Sequence, residues 1–522
     1  MNVGDTTQES PPPPLYISGG NSVMGSGLWP TALSSSIALL LVGSALFYFL
    51  VISQLVPVEK RLGIVQAMQR PTTRNSPFAE KIVHFDMKGA APKINYFMEI
   101  FPMLSLLNVT GVLMEYEDMF PYSGEIAILK RTIAYSEDEI AAILEIAKKN
   151  KLEVIPLVQT FGHLEFVLKY DRFSHLREDP EQMDTLCPSE NESWTLITEL
   201  LTQVRNLHPD VKRIHIGADE AWQIAKDERC LERLRTELGF STDRLKLAHI
   251  ARTARFAREK LHFEEVLVWN DMFGAVSEKL MLKYEMGTLI TPVIWGYAVD
   301  VTQPGYFPDG MFERYSKVFD KLMFASAFKG ANGIAEIYAN VNRYFANQQS
   351  YLNLYEMHKT HLEGRVKGIM LTGWQRYHHS APLCELLPVS VPSLVSDLIY
   401  LENTSLSFSE VMHLAQKFLG CRSTEVQAAP IVFGNETYYP SAETEYMNCT
   451  FPGHDIYDCV ENLRFIVWRI HRLSRSYSAR EMIRKQLADL EQKIRHALSA
   501  YFYGETVDEF VSANVVSLKT LL

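Results

Sequence analysis

The sequence predicts an α/β protein built on a (β/α)8 TIM barrel, with an N-terminal transmembrane helix and a C-terminal helical region. Eight strand-like segments alternate with helical segments over roughly 300 residues, which is the strand count and size of such a barrel. A doubly wound sheet is the alternative fold, but no strand is followed by a GxGxxG or GxxxxGK loop. A long uncharged apolar stretch near the N-terminus predicts the transmembrane helix.

The N-terminal part divides into a tail and an apolar segment. Residues 1–27 are polar and rich in Pro, Gly and Ser, so we expect a disordered tail. No charged residue occurs from Ala32 to Val56, and residues 28–56 are therefore predicted to span a lipid bilayer once. A cleaved signal peptide is disfavoured because the apolar run is long, starts late and lacks a basic flank. A buried helix is disfavoured because nothing nearby in the sequence would cover it.

The side of the membrane on which the barrel lies stays open. Lys60, Arg61, Arg70 and Arg74 follow the apolar segment and no basic residue precedes it, which favours a cytosolic barrel. Five Asn-x-Ser/Thr sites favour the secretory lumen instead, at positions 108, 191, 403, 435 and 448. The sequence thus predicts a single-pass membrane protein of undecided orientation.

A linker over residues 57–79 leads to the predicted barrel, residues 80–400. Alternating apolar and β-branched residues predict strands over 82–86, 111–116, 152–158, 213–216, 266–269, 289–295, 323–328 and 367–374. Helical spacing predicts helices over 93–107, 136–149, 194–207 and 245–261. Ser136 and Glu139 should form a capping box, whereas Pro156 argues against its strand because proline cannot donate to a ladder. Residues 401–522 form the C-terminal helical region, with charged helical runs over 460–473 and 478–503.

Charge and cysteine content exclude several classes of partner. The net charge of -11, with no basic stripe, argues against nucleic-acid binding. The six cysteines are dispersed, without a CxxC pair or a His-rich neighbourhood, so neither a metal site nor another cofactor is expected. Cys449 and Cys459 could bridge in an oxidising compartment, but two free thiols are expected. The oligomeric state stays open, a homo-oligomer included.

Two adjacent carboxylates, Asp219 and Glu220, end the fourth strand. At the carboxyl end of a strand the chain leaves the sheet, so both side chains can turn toward one pocket. A shared pocket separates the two pKa values and leaves one group ionised and the other protonated, which suits acid/base catalysis. The alternative is a pair of acids that caps the next helix.

Three of the seven tryptophans also follow strands, namely Trp269, Trp295 and Trp374. Indole faces pack on the C–H faces of sugars while carboxylates and amides bind the hydroxyls, so this pattern favours a sugar site. Packing at the barrel rim is the alternative for each of them.

Several motifs fall at strand ends in chain order: His84-Phe-Asp86-Met-Lys88-Gly, Glu115-Tyr-Glu117-Asp118-Met-Phe-Pro-Tyr122, Gln159-Thr-Phe-Gly-His163, His215-Ile-Gly-Ala-Asp219-Glu220 and Leu371-Thr-Gly-Trp374-Gln-Arg-Tyr377. Together they resemble glycoside hydrolase family 20, the β-N-acetylhexosaminidases, and the fourth motif resembles the H-x-G-x-D-E signature of that family. The resemblance implies an exo-acting hydrolase of glycoconjugates that retains configuration with assistance from the substrate.

The resemblance also implies roles for individual residues. Glu220 would be the general acid, Asp219 would orient the 2-acetamido group, and Tyr297 would donate a hydrogen bond to the acetamido oxygen. The tryptophans would wall the pocket, and His163 and Asp86 would hold hydroxyls. The full predicted substrate-binding set is His84, Asp86, Glu115, His163, Trp269, Asp271, Trp295, Tyr297, Trp374 and Arg376.

Two departures from the family pattern bear on the sugar. Lysosomal-type members carry an arginine at the end of the first strand, where this chain has His84, Asp86 and Lys88. They also carry an acid two residues after the last-strand tryptophan, where this chain has Arg376. The branch of the family that these motifs resemble favours N-acetylgalactosaminides over N-acetylglucosaminides. A catalytically silent sugar-binding or scaffolding barrel is the alternative function, whereas a family 18-like chitinase is disfavoured because its D-x-x-D-x-D-x-E run is missing.

Overall fold

A computed structural model describes residues 76–421, 431–433, 436–438, 446–472 and 477–522 of the chain. Eight parallel strands close in chain order into a barrel, which confirms the predicted (β/α)8 fold. The strands are β1 (Glu80–Asp86), β2 (Gly111–Glu115), β3 (Glu153–Leu157), β4 (Arg213–His215), β5 (Glu265–Trp269), β6 (Thr291–Trp295), β7 (Leu322–Lys329) and β8 (Val366–Gly373). A separate antiparallel pair follows, β9 (Ile431–Phe433) and β10 (Glu436–Tyr438).

Helices connect the strands and continue into the C-terminal region. Those within the barrel are α1 (Ile94–Leu106), α2 (Glu137–Lys149), α3 (Glu165–Leu168), α4 (Asn191–Leu207), α5 (Glu228–Thr236), α6 (Thr242–Glu259), α7 (Glu278–Lys283), α8 (Met286–Leu289), α9 (Met311–Val318), α10 (Val341–Met357), α11 (Lys359–Leu362) and α12 (Val391–Glu402). The later ones are α13 (Phe408–Phe418), α14 (His454–His471), α15 (Tyr477–Tyr501), α16 (Gly504–Val511) and α17 (Ser517–Lys519).

Two local predictions from the sequence can be compared directly with the structure. The capping box of α2 is present, because Ser136 Oγ accepts from the Glu139 N–H and the Glu139 carboxylate accepts from the Ser136 N–H. Pro156 lies inside β3, although it has no N–H to donate. The cost is small there because β4 is short and pairs with β3 only at Leu157 and His215.

The interior of the barrel is a packed core. Ile82, Leu113, Leu267, Met323 and Met370 are almost fully buried inside the ring of strands. Apolar faces of the surrounding helices form a second, larger core outside the ring. Close packing on both faces fixes the strands, so side chains beyond their carboxyl ends are held in defined positions.

Cys421 and Cys449 form a disulfide, whereas Cys459 is a free buried thiol. The sequence-based expectation that Cys449 is a free thiol is therefore wrong, and that for Cys459 agrees with the structure. The partner of Cys449 lies 28 residues upstream, so the cysteine nearest to Cys449 in the sequence is not its disulfide partner.

Among the helices that the structure describes, none is long and apolar enough to cross a membrane. The predicted span, residues 28–56, lies outside the described residues, as does most of the predicted linker.

Arg213 joins three strands at the amino end of the barrel. Its guanidinium lies 2.7 Å from Glu80 of β1, 2.5 Å from Glu153 of β3 and 3.9 Å from Glu265 of β5. Its side chain is only 11% exposed, so water screens these charge-assisted hydrogen bonds weakly.

Replacing Arg213 with Met should lower the free energy of unfolding by roughly 2 kcal/mol, because three acids lose their shared cation. The melting temperature should fall by roughly 2–4 °C, measured by scanning calorimetry. Lys212→Met is the matched control, since Lys212 pairs with Glu264 at 3.0 Å on the exposed surface and should change stability by less than about 0.5 kcal/mol. Equal melting temperatures of the two variants would contradict the assigned role.

Candidate active site

Two loops meet at the carboxyl end of the barrel because glycines let their backbones approach closely. A Cβ atom on Gly162, in the loop after β3, would lie 2.1 Å from the carbonyl oxygen of Asp219. A Cβ atom on Gly217, which has φ +61°, would lie 1.9 Å from the Gln159 amide oxygen. Larger residues would separate the two loops, so these glycines bring His163 next to Asp219 and Glu220.

His163 lies between the two carboxylates. Its Nε2 atom is 3.1 Å from Glu220 Oε2 and 3.5 Å from Asp219 Oδ2. The backbone is in the left-handed region at His163, with φ 54°, and at Glu220, with φ 46°. Non-glycine residues adopt this conformation at a cost, and such residues cluster at functional sites. The surrounding contacts therefore hold the three side chains in a strained but fixed arrangement.

The charges of these three groups depend on one another. Burial raises the pKa of Asp219 to about 7, against the attraction of His163. The hydrogen bond from His163 lowers the pKa of Glu220, against the effect of burial. Burial would lower the pKa of His163, but the charge of Asp219 and the hydrogen bond to Glu220 outweigh burial and raise that pKa to about 10.

This balance corrects one inference from the sequence. The sequence predicts one ionised and one protonated acid, and a general-acid role for Glu220 would make Glu220 the protonated one. In this structure the order is reversed, because Asp219 is the more deeply buried acid and the imidazolium of His163 stabilises the negative charge of Glu220. The proton nearest to Glu220 is thus held on His163.

Asp271 fixes the other side of Glu220. Its Oδ2 atom accepts a hydrogen bond from the Glu220 N–H at 2.8 Å, and its Oδ1 atom accepts one from Trp295 Nε1 at 3.1 Å. The Asp271 carboxylate therefore fixes both the position of the Glu220 backbone and the orientation of the Trp295 ring. Tyr297 stacks on that ring, with centroids 5.2 Å apart.

A buried cation orders the side of the site formed by β1 and β2. Lys88 Nζ lies 2.7 Å from Glu117 and 3.4 Å from both Asp86 and Glu115. His84 Nε2 is 3.0 Å from the second oxygen of Glu115. Burial would raise the pKa of Glu115, but Lys88 and His84 hold it well below its usual range. Glu115 is therefore an anion at neutral pH and can accept hydrogen bonds.

These side chains surround a cavity of about 320 Å³ at the carboxyl end of the barrel. Its lining includes eight residues of the predicted site, namely Glu115, His163, Asp219, Glu220, Trp295, Tyr297, Trp374 and Arg376. The structure therefore brings together both predicted catalytic acids and six of the predicted substrate-binding residues.

Four predicted substrate-binding residues do not line this cavity. His84 contacts Glu115, Asp86 accepts from the backbone of Lys88 and Gln375, and Asp271 holds Glu220 and Trp295. Trp269 is 1% exposed and packs on His215 and Trp374. In this structure these four act through neighbouring residues, because their side chains turn into the barrel or between loops.

Other lining residues were absent from the predicted binding set, namely Lys88, Gln159, Ala298, Tyr306, Gly330, Ala331, Arg343 and Tyr377. Lys88 and Gln159 follow strands and could have been included on that signal. Arg343 lies in the first turn of α10, where no motif marks it, and it donates to the carbonyl oxygens of Tyr297 and Ala331. The hydroxyl of Tyr306 accepts from the Tyr297 N–H at 3.0 Å.

The C-terminal helix α16 supports the rim of the cavity. Arg376 Nη2 lies 2.5 Å from Glu509 Oε2. Thr506 Oγ1 donates to the carbonyl oxygen of Gly89 at 2.8 Å, and Glu505 pairs with Arg131 at 2.6 Å. Residues from outside the barrel therefore hold the rim of the site in place.

Comparison with known proteins adds independent findings. A sequence model described as "Glycosyl hydrolase family 20, catalytic domain" matches residues 111–295. Hexosaminidase D of Homo sapiens is 35% identical over 457 residues, covering 84% of this chain and 92% of that protein. Hexosaminidase D of Bos taurus is 39% identical over 346 residues, covering 66% of this chain and 98% of that protein. A crystal structure of a β-N-acetylhexosaminidase from Bacteroides fragilis aligns with a TM-score of 0.48 at 14% identity, covering 66% of this chain and 70% of that one.

The charge on His163 can be measured directly. Because its pKa is raised to about 10, the ring should stay protonated at pH 8, where an ordinary histidine is neutral. Asp219→Asn should lower this pKa, since an opposing charge is lost. Nitrogen NMR of labelled histidines would follow the titration, with the buried His208 as internal control, because burial lowers its pKa to about 4. Titration of His163 near pH 6.5 would contradict the assignment.

Proposed function

The chain belongs to glycosyl hydrolase family 20 and is a glycosidase, and from this premise we propose that it removes terminal β-linked N-acetylhexosamine from glycoconjugates. One observation carries the proposal: Asp219 and Glu220 both line the cavity, with His163 within 3.5 Å of each. Two carboxyl groups with separated pKa values can divide the work at a glycosidic bond, because one can donate a proton while the other stays ionised.

The reaction proposed is retaining hydrolysis assisted by the substrate, the mechanism of this family. Glu220 protonates the glycosidic oxygen, and the carbonyl oxygen of the 2-acetamido group attacks the anomeric carbon. Asp219 orients the acetamido N–H and stabilises the positive charge that develops on the group. Water then opens the cyclic intermediate, with Glu220 acting as base.

The structure suggests how Glu220 obtains its proton. His163 Nε2 is 3.1 Å from Glu220 Oε2, and the raised pKa of His163 with the lowered pKa of Glu220 favours the imidazole as the carrier of the proton that the pair shares. A sugar that covers Glu220 would exclude water and disfavour the ion pair of imidazolium and carboxylate. The proton then moves along the existing hydrogen bond to Glu220, where it can be passed to the leaving group.

The size and walls of the cavity support removal of a single terminal sugar. At about 320 Å³ it lies at the lower end of the range of roughly 300–1,000 Å³ for ligand pockets. Trp295 and Trp374 provide indole surface, and Tyr297 lies between them at centroid distances of 5.2 and 6.3 Å. A compact aromatic cavity suits an exo-acting enzyme, because only a chain end fits inside.

We infer a preference for N-acetylgalactosamine over N-acetylglucosamine from the strand-end motifs. These sugars differ only in the direction of the 4-hydroxyl, so the preference must come from residues at that side of the ring. Lys88 and Arg376 line the cavity as cations, and Arg376 occupies a position where lysosomal-type relatives carry an acid. A cation donates to a hydroxyl where an acid accepts, which would change the selection at that position.

The test is hydrolysis of paired chromogenic β-N-acetylgalactosaminide and β-N-acetylglucosaminide by the full chain. Glu220→Gln and Asp219→Asn should each lower kcat by roughly 10²–10⁴, because each removes a group that acts in the transition state. Lys226→Gln is the matched control on the same segment, since its side chain is exposed and does not line the cavity.

The outcomes separate the alternatives. A higher kcat/KM for the galactosaminide supports the proposed preference, and a higher value for the glucosaminide contradicts that part alone. A folded chain that binds both sugars without hydrolysing them would instead favour a catalytically silent sugar-binding barrel.

We also propose that residues 28–56 tether the enzyme to a membrane as a single-pass anchor. The support is the absence of charge from Ala32 to Val56, since a span of about 20 apolar residues crosses a bilayer. The full chain should stay with membranes during carbonate extraction, whereas the double variant Leu40→Arg, Phe47→Arg should be released because central charges oppose insertion. Leu40→Ala, Phe47→Leu is the control, and extraction of the unaltered chain would contradict the proposal.

A further inference from the structure

A cluster of metal-ligating side chains lies outside the catalytic cavity and takes no part in the proposed reaction. Glu178 and Cys187 belong to the loop between β3 and α4, and Cys230 belongs to α5. All three residues are fully buried, and their ligand atoms lie within 4.8 Å of one another. Cys187 and Cys230 are 43 residues apart in the sequence, so no spacing motif marks the cluster.

The atoms converge closely. The two sulfur atoms are 3.5 Å apart, and Cys230 Sγ is 3.1 Å from Glu178 Oε2. Ser189 Oγ is also 3.1 Å from Cys230 Sγ. Three atoms of the kinds that bind zinc, two sulfurs and one carboxylate oxygen, therefore lie within 4.8 Å of one another, and the Ser189 hydroxyl lies next to one of them.

The environment of the buried Glu178 carboxyl group is the second, independent observation. Its other oxygen, Oε1, accepts from the N–H groups of Lys226 and Asp227 at 2.9 and 3.4 Å. Within the part of the chain that the structure describes, Glu178 makes no ion pair, and Leu234, Leu238 and Leu245 pack around the cluster. A buried carboxylate in apolar surroundings is costly unless it is paired with a cation or coordinates a metal.

The separations match a tetrahedral ion. A zinc–sulfur bond of about 2.3 Å places two sulfur ligands about 3.8 Å apart. The observed 3.5 Å needs only a small outward movement. A disulfide would instead require the sulfurs to approach to about 2.05 Å and would leave the carboxylate without a counter-charge.

We propose that Glu178, Cys187 and Cys230 bind a divalent zinc-like cation, with the Ser189 hydroxyl or a water molecule as fourth ligand. Binding would release the two thiol protons to solvent, and the two thiolates and the carboxylate would then surround a charge of +2. The site is closed and lies outside the catalytic cavity, which is typical of a structural ion.

The location gives the ion a mechanical role. The loop after β3 carries His163, and the segment between β4 and α5 carries Asp219 and Glu220. An ion that binds Cys187 and Cys230 joins these two segments. The ion would therefore help to keep His163 at its distance from Asp219 and Glu220.

The first test is the metal content of the purified full chain after expression in medium containing zinc and dialysis against metal-free buffer. Elemental analysis should find about one zinc per chain. Cys187→Ser and Glu178→Gln should lower the zinc content at least fivefold. Cys459→Ser is the matched control, because it removes a free buried thiol in α14 and should leave the zinc content unchanged.

A second measurement uses the unaltered chain, so it does not depend on whether a variant folds. After exchange of the zinc for CoCl2, the protein should show near-ultraviolet absorption from thiolate-to-cobalt charge transfer. Equal zinc in Cys187→Ser and the unaltered chain would overturn the proposal, and so would a chain that binds neither ion. Peptide mapping that finds Cys187 and Cys230 joined in a disulfide would also overturn it. None of these readouts depends on hydrolase activity.

Discussion

The contact of one imidazole ring with two carboxylates determines the chemistry of this site. His163 is within 3.5 Å of Asp219 and Glu220 and is itself held positive by them. The charge of His163 depends on both acids, since burial alone would neutralise the imidazole, and His163 in turn lowers the pKa of Glu220 and opposes the effect of burial on Asp219. Changing any one of them therefore alters the protonation of the others. The shape of the loops, including the close contacts of Gly162 and Gly217 and the left-handed backbone at His163 and Glu220, keeps the three groups together.

Behind the residues that line the cavity lies a supporting layer of polar side chains that do not face it. Asp271 fixes Glu220 and Trp295, and His84 holds Glu115. Such support holds the groups that line the cavity to within the small tolerances that catalysis requires. The barrel favours such supporting contacts, because the carboxyl ends of its eight strands lie at the same end and a side chain at one strand end can contact its neighbour.

The sequence was sufficient to predict the barrel, because its strands and helices repeat with clear periods and all eight strands were located to within a few residues. Asp219 and Glu220 could be chosen as candidates because two adjacent acids are unusual at the end of a buried strand, and both line the cavity. The direction of a side chain was harder to infer. Trp269 and Asp271 follow the same strand, yet one turns into the core and the other between loops. Arg343 and the Glu178, Cys187 and Cys230 cluster depend on contacts between distant segments, which no local pattern records.

Because α16 packs against the rim of the cavity, the barrel alone does not hold all the cavity residues in place. Glu509 holds Arg376, Thr506 holds the backbone at Gly89, and Glu505 holds Arg131. Evolutionary change in this helix is therefore constrained by the chemistry of a pocket formed mostly by other parts of the chain. Among relatives, positions 376 and 509 should therefore vary together, although the first lies in the barrel segment and the second in the C-terminal helical region. A domain boundary placed at the end of the barrel would separate the two partners of this contact.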